Sequence, residues 1–467
     1  MKTALFFVGI TAYLASAFYP ADALHWMVSA VSLLIVAAVF GFVKPFVRAL
    51  GTIFVTIGIV LLAAHGAPWR SFISGFGNMM NILSLFALIP LIALPIELGN
   101  YGARIQAIIQ KTVKHSGLLY LVTSALSYIL SSFMNLATLP MVYHTIRSSL
   151  ELYPIEQKER FMSRAITHGY SMPIVWTPVA PIVGIVVEMT GVKWSSILPV
   201  AIPFSVLGLV LDGMMGRWIA GRRLKRLGSE AAAQIFAARE NAVRPKAGQN
   251  VREKAGHPGQ IIAAIVLFNI LISALEKYTH AGFLLLVSAS VVPFAFVWSL
   301  LLGKGKLFLT KSRTMLPAHL MKMKEQFFVF LCAGFMISAI QSTGAGHVIG
   351  EWIIAAKDVV GPGVFLLLIP FIPFLLAFAG LHPAVGLALA AESLNPQALG
   401  ISAWLVALAM LIGAATAFLM GPYNATAGMM AGLSGQSAFR VSNWNAPFTA
   451  AYLGLGIILL LMLEKVG

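Results

Sequence analysis

Long apolar segments dominate this sequence, and short polar loops separate them. Several of the segments reach the roughly 20 residues that a helix needs to cross a bilayer. The pattern therefore predicts an all-α polytopic membrane protein with about eleven transmembrane helices. The predicted spans are 4–18, 25–43, 46–64, 79–96, 163–190, 194–214, 260–277, 282–302, 326–343, 402–435 and 445–464.

Two further apolar segments, 117–147 and 364–394, are each interrupted near the middle. The first contains the polar run 131–135, and the second contains the run 380–383, which reads Gly-Leu-His-Pro. We expect each segment to fold as a re-entrant hairpin, because irregular backbone at membrane depth is tolerated only where protein or a water-filled cavity covers it. A pair of ordinary kinked spans is the alternative.

The composition excludes a soluble protein. Of the 467 residues, 59% are hydrophobic and only 10% are charged, whereas soluble proteins carry about 25% charged residues. The net charge of +16 fits Lys and Arg in cytoplasmic loops, so we expect the lipid bilayer and no nucleic acid as a partner. The single cysteine, Cys332, excludes a disulfide framework and a cysteine-based metal site.

The basic loops set the predicted orientation. The loop 217–254 is strongly basic and is assigned to the cytoplasm. If 117–147 is a hairpin, every basic cluster falls on that same side, with the N-terminus inside and the C-terminus outside a cell inner membrane. Residues 1–24 imitate a signal peptide, but this topology favours an uncleaved first transmembrane helix. Asp212 lies near a span end, so we expect it to be solvated.

Residues recur at an offset of 244 between the two halves of the chain. We therefore predict a first repeat, 25–214, and a second, 260–467, joined by a cytoplasmic basic linker, 215–259. Span 163–190 rises while 402–435 descends, so the repeats are inverted, as in many secondary transporters. The identical pairs are Pro178 and Pro422, Gly184 and Gly428, Gly191 and Gly435, Pro203 and Pro447, and Phe204 and Phe448.

Proline and polar residues interrupt one span in each half. Span 163–190 contains Pro173 and the run Thr177-Pro178-Val179-Ala180-Pro181, and span 402–435 contains the run 421–426. Proline removes a backbone donor and clashes with the preceding turn, so we expect both helices to break near mid-membrane. Broken ends expose amides that attract anions and carbonyls that attract cations. Simple kinks in packed helices are the alternative.

In these features the sequence resembles the ion transporter superfamily, most closely the divalent anion:sodium symporter family. That family is similar in having eleven spans, two re-entrant hairpins, inverted repeats and a cytoplasmic N-terminus. Its Ser-Asn-Thr motif at each hairpin tip contacts the substrate carboxylate beside a sodium site. Asn135 matches the Asn of that motif, and Thr177-Pro178 matches the family's Thr-Pro pair at the helix break. The second tip, Leu381-His382-Pro383, has no Asn.

The resemblance implies a secondary active transporter for a small organic anion of the carboxylate type, coupled to Na⁺ or H⁺. It also implies elevator-like motion against a scaffold, near 46–96 and 282–343, that forms a homodimer. Na⁺ is the one expected cofactor. The predicted substrate-binding residues are Asn135, Thr138, Thr177, Pro178, His382, Asn424 and Thr426, and the predicted Na⁺ ligands are Asn135, Thr138, Asn424 and Thr426.

Two alternatives stay open. A cation/proton antiporter or exporter of the same superfamily would need a carboxylate at the mid-membrane site. A membrane-embedded transferase would need an acid/base constellation, for which His144, His168 and Glu188 are the candidates. We do not expect an enzyme, because no motif links these three residues.

Overall fold

The computed structural model describes residues 2–113, 115–150, 153, 155–227, 256–378, 380, 383–394 and 396–465. Within these ranges the protein is helical and contains no strand. Ten of the described helical segments are long and apolar enough to cross a membrane, or eleven if one bent pair counts as a span. The predicted fold class, an all-α polytopic membrane protein, is therefore confirmed.

The helix bounds follow the predicted spans closely, with two extensions. Helix α12 continues 13 residues past the predicted end at 214, and α24 begins seven residues before 445. The remainder of the predicted linker, 228–255, lies outside the described residues. In the first half the helices are α1 (Lys2–Phe18), α2 (Asp22–Val39), α3 (Pro45–Ala64), α4 (Ser71–Ser74), α5 (Met80–Leu88), α6 (Pro90–Leu98), α7 (Tyr101–Thr112), α8 (Ser116–Met134), α9 (Thr138–Leu150), α10 (Lys158–Ser171), α11 (Pro181–Thr190) and α12 (Trp194–Leu227). In the second half they are α13 (Gly259–Tyr278), α14 (Phe283–Leu301), α15 (Gly305–Lys322), α16 (Lys324–Thr343), α17 (Gly346–Val360), α18 (Pro362–Leu368), α19 (Phe371–Phe378), α20 (Pro383–Ser393), α21 (Pro396–Leu399), α22 (Ala403–Met420), α23 (Ala425–Ser434) and α24 (Ala438–Glu464).

The helices α1–α6 and α14–α16 pack together, and we call this group the scaffold. Its closest contact is between α3 and α16, where Gly51 and Gly58 face the rings of Phe328 and Phe335. A Cβ at Gly51 would lie 2.3 Å from the Phe328 ring, so the two helices approach as closely as backbone allows. Small residues at such crossings are how membrane helices gain packing energy without a hydrophobic driving force.

Helices α8 and α9 turn back on each other at Asn135. Helix α8 runs beside α10 in the same direction, because Ser124 lies against Gly169 and Ser132 lies further along against Thr177. The chain then returns, since the Tyr153 hydroxyl donates to the Val113 carbonyl (3.0 Å) at the foot of α8. The two arms therefore enter and leave on the same side, and the tip reaches the break between α10 and α11.

The second interrupted segment also doubles back. Helices α19 and α20 pack against each other, and Leu376 on one arm lies beside Gly386 on the other. The chain enters this segment through a 115° bend between Gly350–Val360 and Pro362–Phe378. Most of the tip lies outside the described residues, including His382, one of the predicted substrate-binding residues.

The offset of 244 reappears in the helix bounds. Helix α23 begins and ends 244 residues after α11, and both helices end at a left-handed glycine, Gly191 (φ 68°) and Gly435 (φ 66°). The equivalent helices α12 and α24 run antiparallel, because Tyr452 packs on Gly208 while Gly456, further along α24, packs near Phe204. Equivalent elements thus point in opposite directions, as an inverted repeat requires.

A glycine marks the same helix crossing in each half. A Cβ at Gly169 would lie 2.2 Å from the Ser124 carbonyl oxygen of the first hairpin. A Cβ at Gly413, 244 residues later, would lie 2.3 Å from the Pro370 carbonyl oxygen before the second hairpin. The obstructing atoms are backbone, so no side-chain rotation relieves either clash.

We predict that Gly169→Ala and Gly413→Ala each destabilise the protein by about 1–3 kcal/mol, because the methyl group must push two helices apart. The matched control is Gly428→Ala on α23, where a Cβ meets no atom within 4 Å. That control should be neutral or stabilising, since Ala favours a helix over Gly. Thermal unfolding of the purified variants, followed by tryptophan fluorescence, measures the difference. Equal melting temperatures for all three variants would contradict the close crossing.

Candidate functional site

The tip of the first hairpin and the starts of α11 and α23 line one cavity of about 440 Å³, which we call the first cavity. The scaffold closes its other side. Its wall therefore contains hairpin, both broken helices and scaffold, the convergence that the sequence predicted. The lining residues that the text uses are Asn135, Tyr170, Ala180, Pro181, Ile182, His319, Lys322, Gln326 and Ala425.

A second cavity of about 670 Å³ lies at the tip of the second hairpin. Phe378 and Gly380 contribute from that hairpin, Tyr423 from the second helix break and Lys44 from the scaffold. Gln326 and Ala425 line both cavities, so the two spaces adjoin at these residues. At the rim, Lys44 Nζ lies 3.5 Å from the Glu325 carboxylate.

Asn135 occupies the first hairpin tip in a strained backbone conformation. Its φ of 48° and ψ of −135° lie outside the regions that non-glycine residues favour. Such strain costs on the order of 1–3 kcal/mol and persists where surrounding contacts enforce it. One such contact comes from Tyr170 on α10, whose hydroxyl donates to Asn135 Oδ1 (2.9 Å). The tip is thereby tied to the helix that precedes the first break.

Two predicted cation ligands, Thr138 and Thr426, lie at the N-termini of α9 and α23, which pack against each other. Both hydroxyls are buried, and neither has a hydrogen-bond partner of good geometry among the described residues. Buried hydroxyls are normally paired, so unpaired ones need an explanation. They lie beside the first cavity, because Ala425 and Ala137 line it.

Thr177 and Pro178 lie in the first helix break but do not line either cavity. The Thr177 hydroxyl donates to the Ser132 carbonyl oxygen (2.7 Å) near the end of α8. This bond fastens the hairpin to the break, so the hydroxyl is already engaged. Ala180, Pro181 and Ile182, three residues on, are the part of this break that reaches the first cavity.

Side chains satisfy the last four carbonyls of α22 at the second break. Asn424 Nδ2 donates to the Ala417 and Phe418 oxygens (2.9 and 3.1 Å), and Asn445 Nδ2 donates to the Leu419 oxygen (2.8 Å). The Ser442 hydroxyl donates to the Met420 oxygen. Asn424 Oδ1 also accepts the Ala427 amide (2.8 Å) at the start of α23. The Asn424 side chain is therefore committed to holding the break.

The first cavity has a positive electrostatic character. Lys322 lines it from α15, and none of its described lining residues is Asp or Glu. The helices α11 and α23 both begin at the cavity wall, and the N-terminus of a helix carries partial positive charge. His319 Nε2 lies 3.3 Å from the Phe86 oxygen, and burial lowers the pKa of this imidazole below its ordinary value.

Sequence reasoning missed four polar residues of the first cavity: Tyr170, His319, Lys322 and Gln326. It took Lys322 as one member of a basic loop and used it only to set orientation. Nothing in the local pattern indicates that α15 folds back against the hairpin tip. Tyr170 carried a weak signal, because it lies on a predicted broken helix close to the break.

Asp212 is fully buried, so the expectation that it is solvated was wrong. Its Oδ1 lies 2.7 Å from His168 Nδ1, and it accepts the hydroxyls of Tyr120 (2.9 Å, Oδ1) and Ser124 (2.6 Å, Oδ2). Helix α12 extends well past the predicted span end, which moves Asp212 from the interface into the helix packing. This group of four residues lines neither cavity, and we call it the buried polar cluster.

The three candidate residues of a transferase do not come together. His168 pairs with Asp212 in the buried polar cluster, and His144 is exposed on α9. Glu188 lies near the end of α11, where its carboxylate approaches the Leu284 amide (3.5 Å). No acid/base constellation therefore forms among these residues.

No protein-family model matches this sequence, and no curated protein matches it. A solved structure does match: the YdaH transporter from Alcanivorax borkumensis, reported with an unusual topology. The superposition has a TM-score of 0.59, with 14% sequence identity, and covers 88% of this chain and 97% of that one. The chain is similar in fold to a membrane transporter. At this identity the likeness concerns the fold alone, and it does not extend to the divalent anion:sodium symporter family that the sequence resembles.

The engaged hydroxyl of Thr177 gives a test of its structural role. Thr177→Val keeps the side-chain shape but removes the donor to Ser132, and an unpaired buried acceptor costs about 1–3 kcal/mol. Thr177→Ser keeps the donor and is the matched control. We expect the valine variant to melt at a lower temperature than the serine variant. Equal melting temperatures would show that the bond does not fasten the hairpin.

Proposed function

We propose that this protein is a secondary active transporter for a small organic anion of the carboxylate type, driven by Na⁺ or H⁺. The observation that carries the proposal is the first cavity, where two half-helix N-termini and Lys322 converge without a described acidic residue. Helix N-termini bind anions through free amides and the helix dipole. Discontinuous helices of transporters use the same device at mid-membrane.

Thr138, Thr426 and Asn135 are the proposed Na⁺ ligands. Na⁺ is a hard cation that binds oxygen, and the hydroxyls of the two threonines are buried and unpaired among the described residues. Asn135 contributes from the strained tip, whose backbone carbonyl is not held in a regular helix. Because Asn424 already bridges the second break, its part in the site is to hold α23 in place.

The alternating-access motion is proposed as a displacement of the hairpins and broken helices against the scaffold. Both cavities lie between these two groups and reach Lys44 and Lys322. The bias of basic residues places those lysines at the cytoplasmic side of an inner membrane, with the N-terminus inside. The described conformation then corresponds to an inward-facing state. The proposal includes a homodimer formed through the scaffold.

An antiporter for cations is less well supported. It would need a carboxylate at the cavity, and none of the described lining residues of the first cavity supplies one. The one carboxylate near the second cavity, Glu325, is held by Lys44 at the rim. A transferase is less well supported too, because its candidate residues lie apart.

Binding of a probe dicarboxylate tests the anion. Succinate should raise the melting temperature of the purified protein, because a ligand that binds only the folded state stabilises it by mass action. Lys322→Gln should weaken this binding about tenfold, the equivalent of about 1.4 kcal/mol. Lys306→Gln, on the same helix but outside both cavities, is the matched control. Stabilisation by cations instead of by any carboxylate would reverse the proposed substrate charge.

Replacement of Na⁺ by K⁺ at constant ionic strength tests the cation site. We expect Na⁺ alone to strengthen succinate binding in the wild type and to lose this effect in Thr138→Val and Thr426→Val. Thr416→Val is the control, because its buried hydroxyl already donates to the Gly413 carbonyl (2.7 Å). A Na⁺ effect that survives both valine variants would place the cation elsewhere.

A further inference from the structure

The buried polar cluster contains an ionisable pair that the proposed anion and Na⁺ sites do not use. His168 and Asp212 are both fully buried, on α10 and α12, and their Nδ1 and Oδ1 atoms lie 2.7 Å apart. Ionisable side chains inside a membrane protein are costly, so they persist where they carry ions, protons or substrate. Nothing in a purely structural role requires a titratable residue at this position.

One nitrogen of His168 is left without a partner. Nδ1 is held by Asp212, which fixes the proton of a neutral imidazole on that atom and leaves the lone pair on Nε2. Nε2 is buried and has no hydrogen-bond partner among the described residues. The neighbouring Asn445 amide is already engaged, because Nδ2 donates to the Leu419 oxygen and Oδ1 accepts the Thr167 hydroxyl (3.1 Å).

The charges around His168 favour a reversible proton. The titratable and charged groups that face it are Tyr120 on α8, Arg164 on its own helix and Asp212 on α12. Helix α24 contributes the ring of Phe448, stacked at 4.2 Å, and Asn445, neither of which titrates. With a neutral imidazole, Arg164 and Asp212 cancel. A proton on Nε2 leaves the cluster with one net positive charge.

The cluster connects to both helix breaks. Two residues after His168, Tyr170 holds the hairpin tip through Asn135. On the other side, Asn445 holds the Leu419 carbonyl at the second break and accepts the hydroxyl of Thr167, next to His168. A change in charge at His168 therefore acts on the two elements that form the first cavity.

We propose that His168 is a proton-binding site that couples H⁺ to the transport cycle. Nε2 accepts a proton through its lone pair to give an imidazolium, Nδ1–H stays bonded to Asp212, and no covalent bond to carbon changes. One uncompensated positive charge in a low-dielectric interior is unfavourable. An anion in the first cavity offsets that charge, so proton and anion move together. This inference rests on the proposed function, since the anion completes the charge balance.

The titration of His168 tests the site without knowledge of the substrate. The full chain, labelled with ¹⁵N-histidine in nanodiscs, has ten histidines, and His168→Gln identifies the signal of this one. We expect that signal to titrate between about pH 5 and pH 8. Asp212→Asn should move the midpoint to lower pH, because the carboxylate that stabilises the imidazolium is lost. His65→Gln, an exposed residue, is the control and leaves the His168 signal unchanged. A signal that does not titrate in this window overturns the proposal.

Thiol labelling tests the connection to the cavity. In a Cys332→Ala background, Leu136→Cys places a single reporter in the first cavity. We expect maleimide labelling to differ at least about twofold between the two ends of that pH range and to become pH-independent when His168→Gln is added. Trp352→Cys, on an exposed part of α17, controls for the intrinsic pH dependence of the reaction. Labelling with the same pH dependence in both backgrounds overturns the coupling.

The two experiments separate this inference from the proposed function. If His168 titrates and controls labelling but no carboxylate stabilises the protein, the proton site stands and the proposed anion is wrong. If succinate binds and neither response depends on His168, the anion site stands and the proton site is wrong.

Discussion

Every backbone group that a helix break releases inside the membrane must find a partner, because lipid offers none. At the second break Asn424, Asn445 and Ser442 take up the last four carbonyls of α22. At the first break the Trp194 indole donates to the Trp176 carbonyl (2.8 Å). These side chains permit irregular backbone at membrane depth, and irregular backbone is what leaves helix N-termini free to face a cavity.

The same constraint explains how the two halves are assembled. Helix α11, which follows the first break, packs against α20 of the second hairpin, and α23, which follows the second break, packs against α9 of the first. Gly169 and Gly413 set the depth of the two equivalent crossings. Each half therefore covers the broken helix of the other, and the two tips are brought to adjoining cavities that share Gln326 and Ala425.

The sequence predicted those parts of the fold that depend on local pattern. Hydropathy located the spans, prolines located the breaks, and the offset of 244 located α11 and α23 to the residue. Long-range packing was beyond its reach. Lys322 and His319 line the cavity only because α15 folds back against the hairpin tip, and Asp212 is buried only because α12 continues to Leu227. Thr177 and Pro178 lie at the predicted break, but away from the cavity wall, because the Thr177 hydroxyl is bonded to Ser132.

The exchange of packing partners between halves has a consequence for biogenesis. Helix α11 is synthesised about 200 residues before α20, the hairpin arm against which it packs, and synthesis at roughly 5–20 residues per second makes that interval at least about ten seconds. During this time the carbonyls and amides of the first break face the membrane interior without their final cover. The nascent first half is thus an incomplete folding unit, and its topology is settled only when the second half has been inserted.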